Sequence, residues 1–470
     1  MRIGEGGFVE VLTRREQETI HRNVLRILSE VGLEVGSERM LGVLADFGAE
    51  IDLGAHRAKF AVSLVEDFLS RCPKIDWSQR RPGLQIRCST YFSRYHVPGT
   101  DCIEPLTEAK AADLFRTAQA LAVVDGCMMT GCPWNPRREV EPLWERFYAW
   151  KFGAGCSGTL FPTEANPALY ELYETYAGLK GVSIQEVFSG SVYMQSPLRL
   201  GAEEARQFLF WWERGCRVWI GHMTTGGTTA PVTLAGLVTQ TLAENLALAL
   251  LQAAFYGDFS WSPSMMASVA DMRTLMRSYG APEMALANMM GASMARFYGL
   301  PYFGHSGCTD AKLPSAEAAA HKLLSVLPTV LAGGDAFIDA GLLSVDEVVS
   351  PVQLILDAEL GGALRHMLRQ FEVSDETIGF DAIRDVASSG LFISHEHTLR
   401  WFRQELWHPR IWSREMLDSW QKSGCKLDAD RALDLYREIS ATQTLPQHLA
   451  EDEERALLEV IRRAESSLGS

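Results

Sequence analysis

The 470-residue chain lacks most of the patterns that mark an enzyme or a binder by sequence alone. Its nine cysteines are dispersed, with no CxxC pair and no zinc-ribbon spacing, so neither a disulfide scaffold nor a cysteine-built metal centre is expected. No run of Lys and Arg makes a basic patch, and a formal net charge of −15 argues against nucleic acid as a partner. There is no GxGxxG after a strand-like stretch, and no P-loop, nucleophile elbow or kinase signature. No internal repeat, low-complexity tract or linker interrupts the chain, and no close pair of catalytic carboxylates stands out. The opening MRIGEGGFVE has no signal-peptide core, and Glu244 and Asn245 interrupt the most apolar helical stretch. A soluble, cytoplasmic protein with reduced thiols and no membrane partner is therefore expected.

What is present is a large apolar fraction, 47%, enough for a sizeable core. Helical periodicity fills residues 13 to 70, opening on a Thr13/Glu16 capping box. Residues 74 to 104 are mixed and carry Pro82, Gly83, Pro98 and Gly99, which reads as a β-hairpin or irregular lid. Strand-like and helical stretches then alternate. The strands are expected at 125–130, 158–161, 187–193, 218–222, 258–261, 302–305 and 336–340. Helices are expected at 143–152, 167–179, 202–214, 231–255, 282–298 and 316–331. Seven such strands favour an α/β fold, a (β/α)8 TIM-type barrel with helical N- and C-terminal extensions. A doubly wound open sheet is the alternative. The eighth strand falls either around 379–383 or before Asp125. The expected divisions are 1–104 for the N-terminal extension with its lid, 105–385 for the barrel and 386–470 for a C-terminal helical extension. The tryptophans of that last part, Trp401, Trp407, Trp412 and Trp420, either pack on the barrel or form a contact in a homo-oligomer, which is the expected state.

In such a barrel the reactive groups stand at the C-terminal strand ends. His222 and His305 each end a strand, as base, ligand or hydrogen-bonded lining. The stretch TAPVTLAGLVTQTLAEN places Gly236, Gln240 and Glu244 on one face of an apolar helix, and a carboxylate there is costly to bury without a partner. Tyr256, Phe259, Trp261, Tyr302 and Phe303 supply aromatic surface, and with an acidic residue such as Glu244 in the same mouth they would suit a quaternary ammonium. Arg273 or Lys312 would receive a substrate carboxylate. His395-Glu396-His397 has a metal-like composition, but a capping and packing role before the next helix is preferred, and no metal site is expected.

Several stretches in order give the chain a resemblance. They are LTRREQETIHRNVLRILSEVGLEV, TAPVTLAGLVTQTLAEN, DMRTLMRSYGAPEMALA, CTDAKLPSAEAA, LAGGDAFIDAGLL and HEHTLRWFRQELWHPRIWSRE. Together they resemble the trimethylamine methyltransferase family, in its branch without pyrrolysine. The resemblance implies a (β/α)8 barrel that demethylates a quaternary amine of the betaine class, such as glycine betaine. The methyl group would pass to Co(I) of a corrinoid (cobalamin) on a small partner protein, with no corrinoid held tightly by this chain. Proline betaine, carnitine or trimethylamine are the other donors, and a non-catalytic betaine-binding protein is the alternative outside enzymes. A barrel decarboxylase or aldolase would need a Schiff-base lysine, for which Lys312 is the candidate. The implied chemistry needs a binding pocket and no acid–base dyad. The expected pocket is Phe259, Trp261 and Phe303 around the methyls, Glu244 or Asp310 against the charge, and His222, His305 or Arg273 at a carboxylate.

Overall fold

A computed structural model describes residues 2–3, 7–91, 93–135, 137–156, 158–388 and 390–468. It is an α/β fold, about half helical. The capping box forms as expected: the Glu16 amide donates to Thr13 Oγ1 at 3.2 Å and the Thr13 amide to Glu16 Oε2 at 2.6 Å. Helices follow at Arg14–Arg26, Glu38–Phe47 and Val62–Arg71. Between them lies a small sheet that helical periodicity hides. Leu33–Val35, Glu50–Asp52 and Arg57–Lys59 pair antiparallel, and Arg199–Leu200 joins in parallel. Strands of three residues are too short to carry a readable alternation.

The centre of the molecule is a series of short parallel pairings flanked by long helices. Leu84–Ser89 lies between Ala336–Asp339 and Gly126–Met129, and Gly155–Cys156 pairs with the far side of Gly126–Met129. Thr159 bridges Ser191, and Ser191–Tyr193 pairs with Trp219–Gly221. Thr224–Gly226 pairs with Ala267–Ala270, Ser264–Met265 with Phe303–Gly304, and Phe303 bridges Asp335. The helices between them include Asn166–Lys180, Ala202–Trp212, Leu234–Tyr256, Pro282–Tyr298, Ala316–Leu331 and Pro351–Met367. Leu234–Tyr256 is long and apolar enough to cross a bilayer by length and composition, yet 72% of its apolar window is buried inside the protein.

Five expected elements move. The strand expected at 158–161 lies earlier, at Gly155–Cys156, with only an isolated bridge at Thr159. No strand forms at 258–261; the strand residues are Ser264–Met265 and Ala267–Ala270, after Pro263. Residues Ile184–Val187 are a helical turn, so only Ser191–Tyr193 of the 187–193 stretch is strand. The 74–104 stretch holds the expected hairpin, Arg94–His96 against Ile103–Pro105, but Leu84–Ser89 within it is a central parallel strand. The place proposed for an eighth strand at 379–383 is helix Phe380–Val386, while the other place, before Asp125, is where Leu84–Ser89 lies.

Alternation along these strands separates two faces. Ile86, Cys88, Val192, Ile220 and Ile338 are buried in the core, and Ile86 and Ile338 meet Gly361 of the Pro351–Met367 helix. Arg87, Tyr193, Trp219, Phe337 and Asp339 take the alternate positions and face away from the helices. Trp219 is 51% exposed and Tyr193 44%, so the second face reaches solvent at these two residues, whereas Phe337 and Asp339 on the same face are buried.

Candidate active site

Polar chemistry collects on this open face near the C-terminal strand ends. Arg87 Nε donates to Asp339 Oδ1 at 3.0 Å, and its guanidinium carbon lies 3.8 Å from the Phe337 ring centroid. Phe303 stacks on Phe337, with centroids 5.5 Å apart and ring planes 18° apart. The His305 ring lies 5.0 Å from Tyr279 and 5.6 Å from Phe337, and Cys308 Sγ is 3.8 Å from His305 Nε2. On the other side Tyr193 and Trp219 meet edge to face at 5.5 Å. Gly221 makes room for them: a Cβ there would sit 2.5 Å from each ring.

A hairpin carries the second cation. Ala267–Ala270 pairs antiparallel with Arg277–Ser278. Asp310 pins the latter strand by accepting from Ser278 Oγ, the Tyr279 amide at 2.7 Å and the Gly280 amide at 3.0 Å. Arg277 then donates to the Met223 sulfur and meets the Tyr279 hydroxyl at 3.5 Å. Among the described residues it forms no ion pair, which is unusual for a half-buried guanidinium.

The charge of Arg277 also reaches Asp346. Its backbone φ of 72° follows 54° at both Ser344 and Val345, three successive non-glycine residues in left-handed conformations. Such a run is strained, above all at β-branched Val345, and persists because its surroundings over-determine it. The Ser344 amide donates to Ala311 O at 2.8 Å, the Val345 amide to Thr309 O at 3.0 Å, and Ser93 Oγ to Asp346 O at 2.8 Å. Burial, helped by the Asp339 charge, pushes the Asp346 carboxyl up to about 7, against the pull of Lys322, Arg277 and a hydrogen bond from the Tyr279 hydroxyl. His305 goes the other way: burial first, then Arg87 and Arg277, push it down to about 3, so the imidazole is neutral at working pH.

The Asp346 shift has a stability consequence. The folded carboxyl keeps its proton to about pH 7, whereas an unfolded aspartate loses it near 4. Between those values the folded state binds more protons than the unfolded one, so this group's contribution to stability falls as pH rises. Asp346→Asn is expected to stabilise the fold by about 2–4 kcal/mol at pH 8 and by little at pH 4.5. Urea unfolding at the two pH values measures this, and an equal effect at both would show that Asp346 does not titrate in this range.

Phe303 and His305 join the cluster directly, and Asp310 stands behind it as the support of the Arg277 hairpin. His222 is buried with Nδ1 unpartnered and Nε2 3.5 Å from Ser264 Oγ, and burial lowers it to about 4; its neighbour Met223 reaches Arg277. Glu244 is fully buried and engaged, accepting from Ser196 Oγ at 2.7 Å, Gln240 Nε2 at 2.9 Å and the Leu198 amide at 3.1 Å. It holds a turn, and burial raises its carboxyl despite those bonds. Phe259 lies elsewhere, 5.8 Å from Phe68 and under the Arg71 guanidinium at 3.2 Å, because the strand begins after it. Trp261 donates to Asn245 Oδ1 at 2.8 Å and packs on Tyr298. Arg273 is 89% exposed and paired with Asp271 in a solvated loop. Lys312 Nζ donates to Asp310 O at 2.8 Å. His395 caps its helix as expected, accepting from the His397 amide at 3.1 Å. Among the described residues no group of three or more His, Cys, Asp or Glu stands where it could hold a metal ion.

Arg87, Tyr193, Trp219, Arg277, Tyr279, Phe337 and Asp346 were not singled out by sequence. The alternation of LQIRCS, with Leu84, Ile86 and Cys88 on one face, is the signal that would have placed Arg87 on the other.

A family profile described as trimethylamine methyltransferase (MTTB) matches residues 160–469. Over nearly the whole chain it is 24% identical to a trimethylamine methyltransferase MttB of Desulfitobacterium hafniense, covering 99% of this chain and 95% of that one. It is 25% identical to a glycine betaine methyltransferase of the same species, with 93% of each chain covered. A trimethylamine methyltransferase of Methanosarcina thermophila matches at 29% over 51% of this chain and 50% of its own. Among solved structures, the monomethylamine methyltransferase of Methanosarcina barkeri aligns with TM-score 0.42 and 10% identity, over 99% of this chain and 90% of that one.

Proposed function

The chain belongs to the trimethylamine methyltransferase family, and on that premise we propose that it takes a methyl group from a carboxylate-bearing quaternary amine, of the class of glycine betaine. The acceptor is Co(I) of a corrinoid on a separate small protein. The observation that carries the donor class is Arg277, a half-buried guanidinium without a carboxylate partner among the described residues, set on the open face beside aromatic rings. A guanidinium fork matches a carboxylate in charge and geometry. Asp346 balances the ammonium, and Tyr193 with Trp219 offers it aromatic faces. These residues replace Phe259, Trp261 and Arg273 in the binding assignment, since those three are occupied or solvated elsewhere.

The corrinoid supplies a two-electron nucleophile for the methyl carbon. The breaking C–N bond leaves its electron pair on nitrogen, which departs as a neutral tertiary amine, so no proton has to be delivered. The chain's work is therefore to hold the zwitterion with one methyl turned to the mouth, and to exclude water. A neutral His305 suits that work: it fills space and lends no positive charge against the ammonium. Binding a cation beside Asp346 lowers that carboxyl again and expels its proton.

The parallel pairings are best read as one closed (β/α)8 barrel, running from Leu84–Ser89 through Ala336–Asp339 and back. On this reading the barrel begins at residue 84 rather than 105, with helical additions before and after it. Val232, Met272, Leu275 and Met276 are exposed around the loops beside Arg277 and offer an apolar rim for the corrinoid protein. The protein works in the cytoplasm on this reading.

The test is anaerobic mixing with chemically reduced cob(I)alamin and one amine at a time, following conversion to methylcobalamin by absorbance. Glycine betaine or a related betaine is expected to convert it. Conversion by trimethylamine alone, with no betaine active, would overturn the donor class.

A further inference from the structure

The segment 371–427 is an arm with almost no core of its own. It joins the helices Pro351–Met367 and Asp428–Thr442, and its base is well anchored. The amides of Arg410, Ile411 and Trp412 all donate to Glu359 Oε1, at 2.8, 3.0 and 3.2 Å. Glu405 also accepts from Arg369 at 2.8 Å. Yet among its described residues only Ala382, Val386 and Ile411 are buried. Fourteen of the 32 exposed large apolar side chains of the described chain belong to it. Phe371 is 72% exposed, Val373 75%, Phe380 66%, Leu391 71%, Ile393 78% and Met416 80%.

This is out of balance for a surface facing water. Ordering a residue costs conformational entropy that apolar burial must offset, and here there is little burial to do so. Side chains of this size offer on the order of 150–200 Å² each when aromatic. Fourteen of them, 38% to 80% exposed, present roughly 1,000–1,500 Å² per chain. Two such faces together reach the 2,000–5,000 Å² of obligate homodimers, which are also the more apolar class.

We propose that this arm is the interface with a second copy of the same chain. Charge supports a like partner: 371–427 carries seven basic and nine acidic residues, close to neutral within a chain of net charge −15, so two copies meet there with little repulsion. A corrinoid protein suits the arm less well. On the function proposed above it must leave after each transfer, and transient faces are smaller and more polar.

Light scattering after size exclusion tests this on the full chain without recourse to activity. The protein is expected at no less than twice its 52.2 kDa chain mass. Phe371→Glu with Ile393→Glu, both exposed in the single copy, is expected to give a folded monomer, with the dissociation constant raised at least 100-fold. A wild-type monomer at tens of micromolar overturns the proposal, as does an oligomer that both glutamates leave intact. If the double variant aggregates, hydrogen exchange on the wild-type oligomer decides: slow exchange in peptides spanning 390–395 supports the interface, and exchange at the rate of free loops overturns it. A monomer whose arm is protected only on adding the corrinoid protein assigns the surface to that partner and overturns a second copy.

Discussion

Arg277→Ala is expected to lower kcat/KM for a betaine donor about 100- to 1,000-fold, almost all of it through KM. The guanidinium meets a sulfur and a phenol but no carboxylate among the described residues, so its fork is free for a ligand. Hydrogen bonds to charged groups contribute about 1.5–3 kcal/mol each, and a bidentate pair lost together removes about 3–4 kcal/mol. The carboxylate lies at the far end of the donor from the transferred methyl, so ground state and transition state lose the same contact and kcat changes little. Arg277→Lys keeps the charge and loses the fork; it is expected to recover part of the affinity, leaving a loss of about 10-fold. The readout is the rate of cob(I)alamin methylation against donor concentration. Circular dichroism on each variant checks the fold. If Arg277→Ala keeps KM within threefold of wild type, the carboxylate is held by another group, and Arg87 becomes the next residue to examine.

The neighbouring hairpin explains why this arginine was passed over in the sequence. DMRTLMRSYG offers two arginines four residues apart, and only the three-dimensional turn separates them. Arg273 belongs to the solvated tip and pairs with Asp271 two residues back. Arg277 belongs to the returning strand, which Asp310 holds by three hydrogen bonds. Asp310 and His305 were legible because they follow a strand with apolar flanks. Long helices were legible for the same reason of periodicity: Pro282–Tyr298 and Ala316–Leu331 fall on their expected limits. What failed was the placing of short strands. A strand of two residues such as Ser264–Met265 has no period to detect, and the apolar run before it, Phe259 to Trp261, drew the strand too early. That single shift moved two aromatics from the expected pocket to a packing role. Leu84–Ser89 failed differently, since the prolines and glycines around it read as a loop although its own alternation was intact.

Glu244 shows the same limit from the side of burial. A carboxylate on the apolar Leu234–Tyr256 helix did require a partner, as expected of a buried charge. Its partners are Ser196, Leu198 and Gln240, all from the chain itself, so its cost of burial is offset in part without a ligand, burial still raising the carboxyl. Arg277 and Asp346 differ because their own chain leaves them under-satisfied or strained. That difference is visible only once distances are known.

Gly307→Ala is expected to be the most disruptive single substitution near the site, lowering stability by about 3–5 kcal/mol and abolishing turnover in whatever protein remains folded. Two costs add. Gly307 has φ of 70°, a left-handed conformation that an L side chain pays about 1–2 kcal/mol to adopt. A Cβ there would also lie 2.2 Å from Phe337 O and 2.5 Å from Ile338 Cα, both backbone atoms of a strand that pairs with Leu84–Ser89 and cannot yield. The turn has no slack elsewhere: the Gly307 amide donates to Ser325 Oγ at 2.9 Å, and Ser306 Oγ bridges the Phe337 backbone at 3.0 and 3.1 Å. Relief must come from moving His305 and Cys308, or from shifting Phe337 and Asp339 and with them the Arg87 pair. Either movement dismantles the proposed binding face. Gly178→Ala is the control, a helical glycine with nothing within 4 Å of the added carbon, and it is expected to be neutral or to stabilise by about 0.5–1 kcal/mol. Urea unfolding of both variants beside wild type measures the contrast. A Gly307→Ala protein within about 1 kcal/mol of wild type would mean that the His305 turn does not press against the Phe337 strand, and the geometry of the site would have to be redrawn from that contact outward.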